Sequence, residues 1–263
     1  MKHSAITRTI SDIKIHNWLI MDTIYKFGSK TSALLIYISI MSRATLMMDG
    51  WYTATLSVDD IVNDWDFDEF SINHFGCIQP MDYYLDYFYD VMKKHTLVRF
   101  PNHPEMDSDK QYTYKIKAAH GPFYDKISMY GSDAYLSYEE VHKLMSYTKP
   151  RKECAVILLC FIRFKMPSIY GNNPKTAVIG QYTLINKCLF GEGRTEYTIK
   201  LLENWRMIDF YKVCERDENG NRVKSELFGN AYVPVYTIPG LADERDAYEC
   251  AIEFLKRQNG HRY

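Results

Sequence analysis

The sequence predicts an α+β protein, mostly helical, in which two copies of one small module follow each other in tandem. Three stretches carry that prediction. Thr53-Ala54-Thr55-Leu56-Ser57, continuing through Ile61-Val62-Asn63 to Phe67, returns as Thr176-Ala177-Val178-Ile179-Gly180 through Leu184-Ile185-Asn186 to Phe190, at a constant offset of 123 positions. Upstream of each lies an apolar stripe at helical spacing, Leu34, Tyr37, Ile38 and Met41 first and Cys154, Ile157, Leu158 and Phe161 second, followed by Arg43 and Arg163 at an offset of 120. Downstream, Phe88, Val91, Leu97 and Phe100 are answered by Ile199, Leu202, Ile208 and Tyr211 at an offset of 111. Offsets that hold within a block and change between blocks are expected when each block is a structural element and each gap a surface connection.

In the second copy, Arg151 to Phe164 reads as a first helix, closed by Pro167 and the Gly171-Asn172-Asn173-Pro174 turn, which a helix interior does not tolerate. Thr176 to Ile179 is a first strand, Gln181 to Phe190 a second helix and Arg194 to Arg206 a third, with Ile199 and Leu202 inward. Between the last two, Gly191-Glu192-Gly193 forms a tight turn in which glycine can take positive φ and let the next helix cross steeply. Met207 to Val213 and Ala231 to Ile238 are strands, and the polar loop between them carries the Asn219-Gly220 hairpin signal. Helix, strand, two helices and a long two-stranded wing is the order of a winged helix, a form of the helix-turn-helix fold.

The first copy keeps that order and inserts Asp68 to Asp82 before its third helix, which reads Tyr83-Tyr84-Leu85-Asp86-Tyr87-Phe88-Tyr89-Asp90. Phe88 and Val91 fix its buried side. Tyr83, Tyr84, Tyr87 and Tyr89 are assigned to a protein-interaction surface, because rigid tyrosines are enriched at interfaces; the alternative is that they belong to the core. Ile10 to Phe27 has helical spacing through Ile13, Trp18, Met21 and Tyr25, Leu136 to Ser146 reads as a helix, and Asp243 to Arg257 is a terminal helix with Tyr248, Ala251, Ile252 and Leu255 on one face. The predicted organisation is therefore a helical extension over 1–30, an acidic first domain over 31–118, a linker with a helix over 119–145, a basic second domain over 146–240 and a C-terminal helix over 241–263.

Composition sets bounds on function. A chain of 263 residues with 46% hydrophobic content can bury two cores, and its longest apolar runs fall short of the ~20 residues of a membrane-spanning helix. Met1 to Ile10 lacks an apolar signal-peptide core. The six cysteines form no C-x-x-C pair, as expected of reduced core thiols in a cytoplasmic protein. The net charge of -1 hides a split: Thr31 to Met145 holds 9 basic and 17 acidic residues, net -8, whereas Ser146 to Gly240 holds 14 and 9, net +5. That division predicts that the second module meets a polyanion and the first meets protein.

A third helix in this fold is exposed along one face and presents its N-terminal turn to phosphate while side chains enter the major groove. Here that segment offers Arg194, Thr195, Tyr197, Thr198 and Lys200, and the wing adds Arg216, Arg222 and Lys224. Arginine can read guanine bidentately, and threonine can meet phosphate or a thymine methyl. These eight residues are the predicted DNA-binding set.

No catalytic constellation is found, so the chain is not expected to be an enzyme. Phe27-Gly28-Ser29-Lys30-Thr31 lacks the upstream glycine of a phosphate-binding loop, with Ser29 or Thr31 reading instead as a helix cap. No two histidines are separated by a single residue as a nickase metal site would require, and the carboxylates from Asp59 to Glu69 lack the glycine of a calcium loop. Neither a metal nor a cofactor is expected.

Two modules of this kind in one chain resemble the replication initiators of plasmids and phages, the resemblance covering Thr31 to Ile238 in architecture and in the third-helix and wing positions. It implies binding of double-stranded DNA at repeated origin sites, dimerisation through the first module and recruitment of replication proteins. It would put Arg194, Thr195, Tyr197, Thr198 and Lys200 on DNA and the Tyr83 to Tyr89 face on a second copy or a partner from the replication or transcription machinery. The family commonly uses both modules on DNA, which the -8 of this first module opposes. A transcriptional regulator, or a winged-helix interaction module that never touches nucleic acid, are the competing expectations.

Overall fold

The computed structural model describes residues 12–16, 18–20, 30–66, 81–94, 96–101, 107–117, 133–147, 152–166, 176–188, 191–229 and 232–260. The chain divides into two compact units, one comprising Met1–Tyr130 with Ala134–Ile157 and the other Gly131–Asp133 with Leu158–Tyr263. Both mix helices with antiparallel sheets.

The first unit runs β1 (Asp12–Ile15), α1 (Lys30–Ser42), β2 (Thr45–Leu46), β3 (Trp51–Leu56), α2 (Val58–Trp65), α3 (Met81–Lys93), β4 (Val98–Arg99), β5 (Tyr112–Lys117), β6 (Ala134–Ser137) and α4 (Tyr138–Ser146). Helix α1 is buried on every side from Ala33 to Met41, more than a stripe requires, because α3, α2 and β3 pack on it and β1 and α4 do so as well. The start of α2 is set by a reciprocal capping box between Ser57 and Asp60. At its other end the Trp65 indole N–H donates to the Ser39 hydroxyl at 2.7 Å and the Leu35 carbonyl at 3.0 Å. Along α3, Tyr84, Leu85, Phe88, Val91 and Met92 are buried, one apolar face at the period of a helix.

The sheet of this unit has strand order β2-β3-β5-β4. Ala54, Leu56, Tyr114 and Ile116 face inward and are buried, so the alternating Thr55, Thr113 and Lys115 face outward.

Two expectations about the ends of the first domain are corrected. Asp12–Ile15 is a strand, not the start of a helical extension: it pairs antiparallel with Ala134–Ser137, and Ile13 and Ile15, two apart, are both buried. Leu136 and Ser137 accordingly belong to that strand, and the helix begins at Tyr138. Residues 134–146 are thus part of the first unit rather than a linker. The predicted linker from 118 to 132, the insertion from 68 to 80, and Met21 and Tyr25 lie outside the described residues.

Helix α5 (Lys152–Lys165) contains the boundary between the units, and the second unit continues with β7 (Thr176–Val178), α6 (Gln181–Cys188), α7 (Glu192–Asn204), β8 (Asp209–Val213), β9 (Val233–Thr237) and α8 (Glu244–Gly260). Its sheet order is β7-β9-β8. Among the described residues each unit thus follows a long helix with a strand, two helices and two strands, the first unit adding the short β2 ahead of β3, and β5 lies between β3 and β4 as β9 lies between β7 and β8.

Strand pairing corrects the third block of the repeat. Thr53 pairs with Lys115 and Thr176 with Thr237, while Arg99 pairs with Lys115 and Asp209 with Thr237. Arg99 thus matches Asp209 at an offset of 110, although Phe88 and Val91 still match Ile199 and Leu202 at 111. The loop after the third helix differs by one residue, and a one-residue slip exchanges the faces of a strand. Leu97 is consequently 66% exposed where Ile208 is buried. Phe100 takes the place of Phe210: it packs at 5.7 Å on Tyr114, as Phe210 stacks at 4.9 Å on Tyr236.

Candidate nucleic-acid interface

The third helix of the second unit starts two residues earlier than expected. Gly191 is its N-cap, with φ -59° and ψ 160° and no side-chain cap, so the glycine turn is extended rather than left-handed, which suits a cap. The buried face of α7 is Thr195, Thr198, Ile199, Leu201 and Leu202. Two predicted DNA contacts are therefore corrected: Thr195 and Thr198 are within the core, their hydroxyls donating to the Gly191 carbonyl at 3.3 Å and the Arg194 carbonyl at 2.8 Å. Helical spacing carries both inward, Thr195 four residues before Ile199 and Thr198 four before Leu202, and the polarity of threonine masks that signal. Tyr197, 45% exposed, and Lys200 point to solvent, and Arg194 is half-buried.

The wing is an ordered hairpin. Asp217 accepts the backbone N–H groups of Asn219 and Asn221 at 2.9 and 2.8 Å, which hold its carboxyl below the usual range. Gly220 takes φ +79°, as the tip of such a turn requires. Arg216 pairs with Arg222 across the hairpin and donates to the Gly220 carbonyl at 2.8 Å, and Arg216, Arg222 and Lys224 are all exposed. The cations are interleaved with carboxylates. Two of these are engaged within the unit: Glu215 accepts from the Tyr248 hydroxyl at 3.2 Å and Glu196 from Gln181 at 3.1 Å.

Beside α7 lies a cleft of about 500 Å³ that the sequence did not announce. It is lined by Glu196, Lys200 and Glu203, at helical spacing on α7, by Phe210 and Lys212 of β8, and by Tyr232 and Tyr182. Tyr182 is 79% exposed, and the Lys212 ammonium lies 5.2 Å from the Tyr232 ring. Burial raises the Glu203 carboxyl above its ordinary value. The only sequence signal for Lys212 was its alternation with Tyr211 and Val213 along β8.

In the first unit the tyrosine set separates. Tyr84 is corrected to core: it is buried, with Tyr83 edge-on at 5.7 Å, because it falls on the same face as Phe88. Tyr87 and Tyr89 are half-buried, Tyr89 lying 5.6 Å from Phe100 and under the Lys93 ammonium at 5.0 Å. Tyr83 stands out, 48% exposed, with Asp86 and Asp90 exposed beyond it.

The repeated arginines do different work. Arg43 forms a two-pronged pair with Asp64 at 2.6 and 2.8 Å near the surface, whereas Arg163 is buried and donates to the Met207 carbonyl at 3.1 Å. Among the described residues no disulfide joins the cysteines, no group of three or more metal-ligating side chains occurs, and no helix is long and apolar enough to cross a membrane. No family model, curated protein or solved structure matches the chain.

Proposed function

We propose that the chain is a sequence-specific double-stranded DNA-binding protein with two winged-helix domains related by duplication, of the kind that initiates replication on plasmids and phages. The observation that carries this reading is the second unit's third helix, which directs Tyr197 and Lys200 outward with Arg194 at its first turn, in the same unit as a hairpin bearing Arg216, Arg222 and Lys224. A helix of that kind can enter a major groove while the hairpin meets the flanking backbone. Thr195 and Thr198 are left out of the contact set. The first domain serves assembly in this reading, with Tyr83 rather than Tyr84 at the contact.

Footprinting on the DNA that flanks the gene tests the reading: protection of tandem direct repeats supports an initiator, protection of one palindrome a repressor, and no protection removes DNA recognition. On a protected site, Arg194→Ala should cost about 1 to 3 kcal/mol if it reads a base, whereas Lys224→Ala should weaken all sequences alike and flatten the salt dependence by about one unit. Equal binding by both variants and the parent would exclude the helix and wing as the DNA surface.

A further inference from the structure

The outward face of the first unit's sheet differs in kind from the rest of that unit. Cross-strand pairing puts Trp51 opposite Lys117, Thr55 opposite Thr113, and Lys115 opposite Arg99. All six share one face, because residues directly opposite each other in a ladder project to the same side. Thr55, Thr113 and Arg99 are exposed, and Trp51, Lys115 and Lys117 half-buried. Trp51 orders two of the cations, with the Arg99 guanidinium 4.9 Å and the Lys117 ammonium 5.3 Å from its ring. Lys117 also donates to the Asp49 carbonyl.

Three of the unit's cations, Arg99, Lys115 and Lys117, gather on this one face, whereas Lys94 and Lys110, which also lack an ion pair among the described residues, lie at the end of α3 and in the turn before β5. Elsewhere on the unit Arg43, Lys93 and Lys143 are ion-paired with Asp64, Asp90 and Glu139. Among the described residues no carboxylate pairs with Arg99, Lys115 or Lys117. The stretch that holds them carries a net charge of -8, so three cations on a single face, with no carboxylate partner among the described residues, are a local concentration of positive charge.

We infer that this face binds the phosphodiester backbone of a nucleic acid. Lys115 and Lys117, two residues apart on one strand, stand about 7 Å from each other, so neighbouring phosphates of an extended strand can each meet one. Arg99 extends the row across the sheet, the hydroxyls of Thr55 and Thr113 can donate to phosphate oxygens, and the Trp51 ring holds Arg99 and Lys117 in that row. The inference does not rest on the second unit's helix and wing.

The test measures anisotropy of labelled single-stranded and duplex oligonucleotides with the full chain at several salt concentrations. Combining Arg99→Gln, Lys115→Gln and Lys117→Gln should lower affinity at least about tenfold and flatten the salt slope by about two units on a single strand, as expected for three phosphate contacts. Lys115→Arg with Lys117→Arg should retain binding, and thermal unfolding reports whether the glutamine variant still folds. The arm that loses more identifies which form of nucleic acid occupies the face. Unchanged affinity and slope on both probes would overturn the inference, as would displacement by polyglutamate as effective as by nucleic acid, which would assign the face to an acidic polypeptide. Lys200→Gln with Lys224→Gln reports the second unit separately: a loss there alone sinks this inference and leaves the proposed function standing, and a loss in the first unit alone does the reverse.

Discussion

The outer faces of the two sheets share one three-strand arrangement, β3-β5-β4 in the first unit and β7-β9-β8 in the second, and have opposite fates. In the second unit Val178, Tyr211, Val213, Val233 and Val235 pack with Ala247 and Ala251 of α8, and Val235 is fully buried. In the first unit the matching strand positions hold Thr55 and Thr113, whose hydroxyls lie 3.3 Å apart at the surface. The inner faces barely differ: Ala54 and Leu56 answer Ala177 and Ile179, and Tyr114 answers Tyr236, all buried. What the two units share is the packing of the sheet's inner face. The other face differs, covered by α8 in the second unit and cationic with Thr55, Thr113 and Arg99 exposed in the first.

The sharpest way to break this comparison is to put the same charge on both faces. Val235→Asp should cost about 3 kcal/mol or more by burying an unpaired carboxylate under α8. Thr113→Asp should stay within about 0.5 kcal/mol, as exposed substitutions do. Denaturant unfolding measures both, and similar losses would mean that the first unit's outer face is covered too.

A smaller difference is expected at the repeated arginine. Arg163→Ala should cost about 1 to 3 kcal/mol, because the Met207 carbonyl loses its buried donor. Arg43→Ala should cost under about 1 kcal/mol, as a near-surface pair does. The reverse order would show that the Asp64 pair, and not the buried bond, holds its unit together.

The smallest effect concerns helix capping: the first unit's second helix is capped by the Ser57 and Asp60 side-chain pair, whereas no side chain caps the second unit's third helix. Asp60 is held below its ordinary value chiefly by the Ser57 N–H, so its contribution is fully present above the unfolded carboxylate pKa and is lost as pH falls through the lower folded value. Asp60→Asn should therefore lower stability by about 0.5 to 1 kcal/mol near neutrality, and the difference from the parent should shrink in acid below the usual carboxylate range. A difference independent of pH would assign the effect to shape rather than charge.

Much of the inner architecture was legible because it is written as local periodicity. The stripe of Phe88 and Val91 and that of Ile199 and Leu202 located the third helices, and the Asn219-Gly220 signal located the hairpin, since side chains facing a core recur at the period of their own element. Within the candidate interface the same reading placed Tyr197 and Lys200 outside and misplaced Thr195, Thr198 and Tyr84. Polarity was used there as a guide to exposure, but a threonine hydroxyl can be satisfied by the carbonyl one turn back, and a tyrosine ring is large enough to be core. Asp12–Ile15 was read as helical for a related reason: Ile13 with Trp18 and Met21 fits a helix, and its pairing with a strand more than a hundred residues away leaves no local mark.

By itself, then, the sequence determined the order of elements in the second unit, the apolar stripes of the third helices and the electrostatic contrast between the two halves, all of which follow from residue type and spacing. Only the tertiary structure decided what lies on the other faces. Burial of Val233 and Val235 depends on α8 returning across β9, exposure of Thr55 and Thr113 on no described helix doing so, and the inward turn of Phe100 on a single residue of loop length. The physical reason is that periodicity records which side of an element is apolar, whereas the segment that covers it is chosen by long-range packing, in which one residue of register inverts a strand.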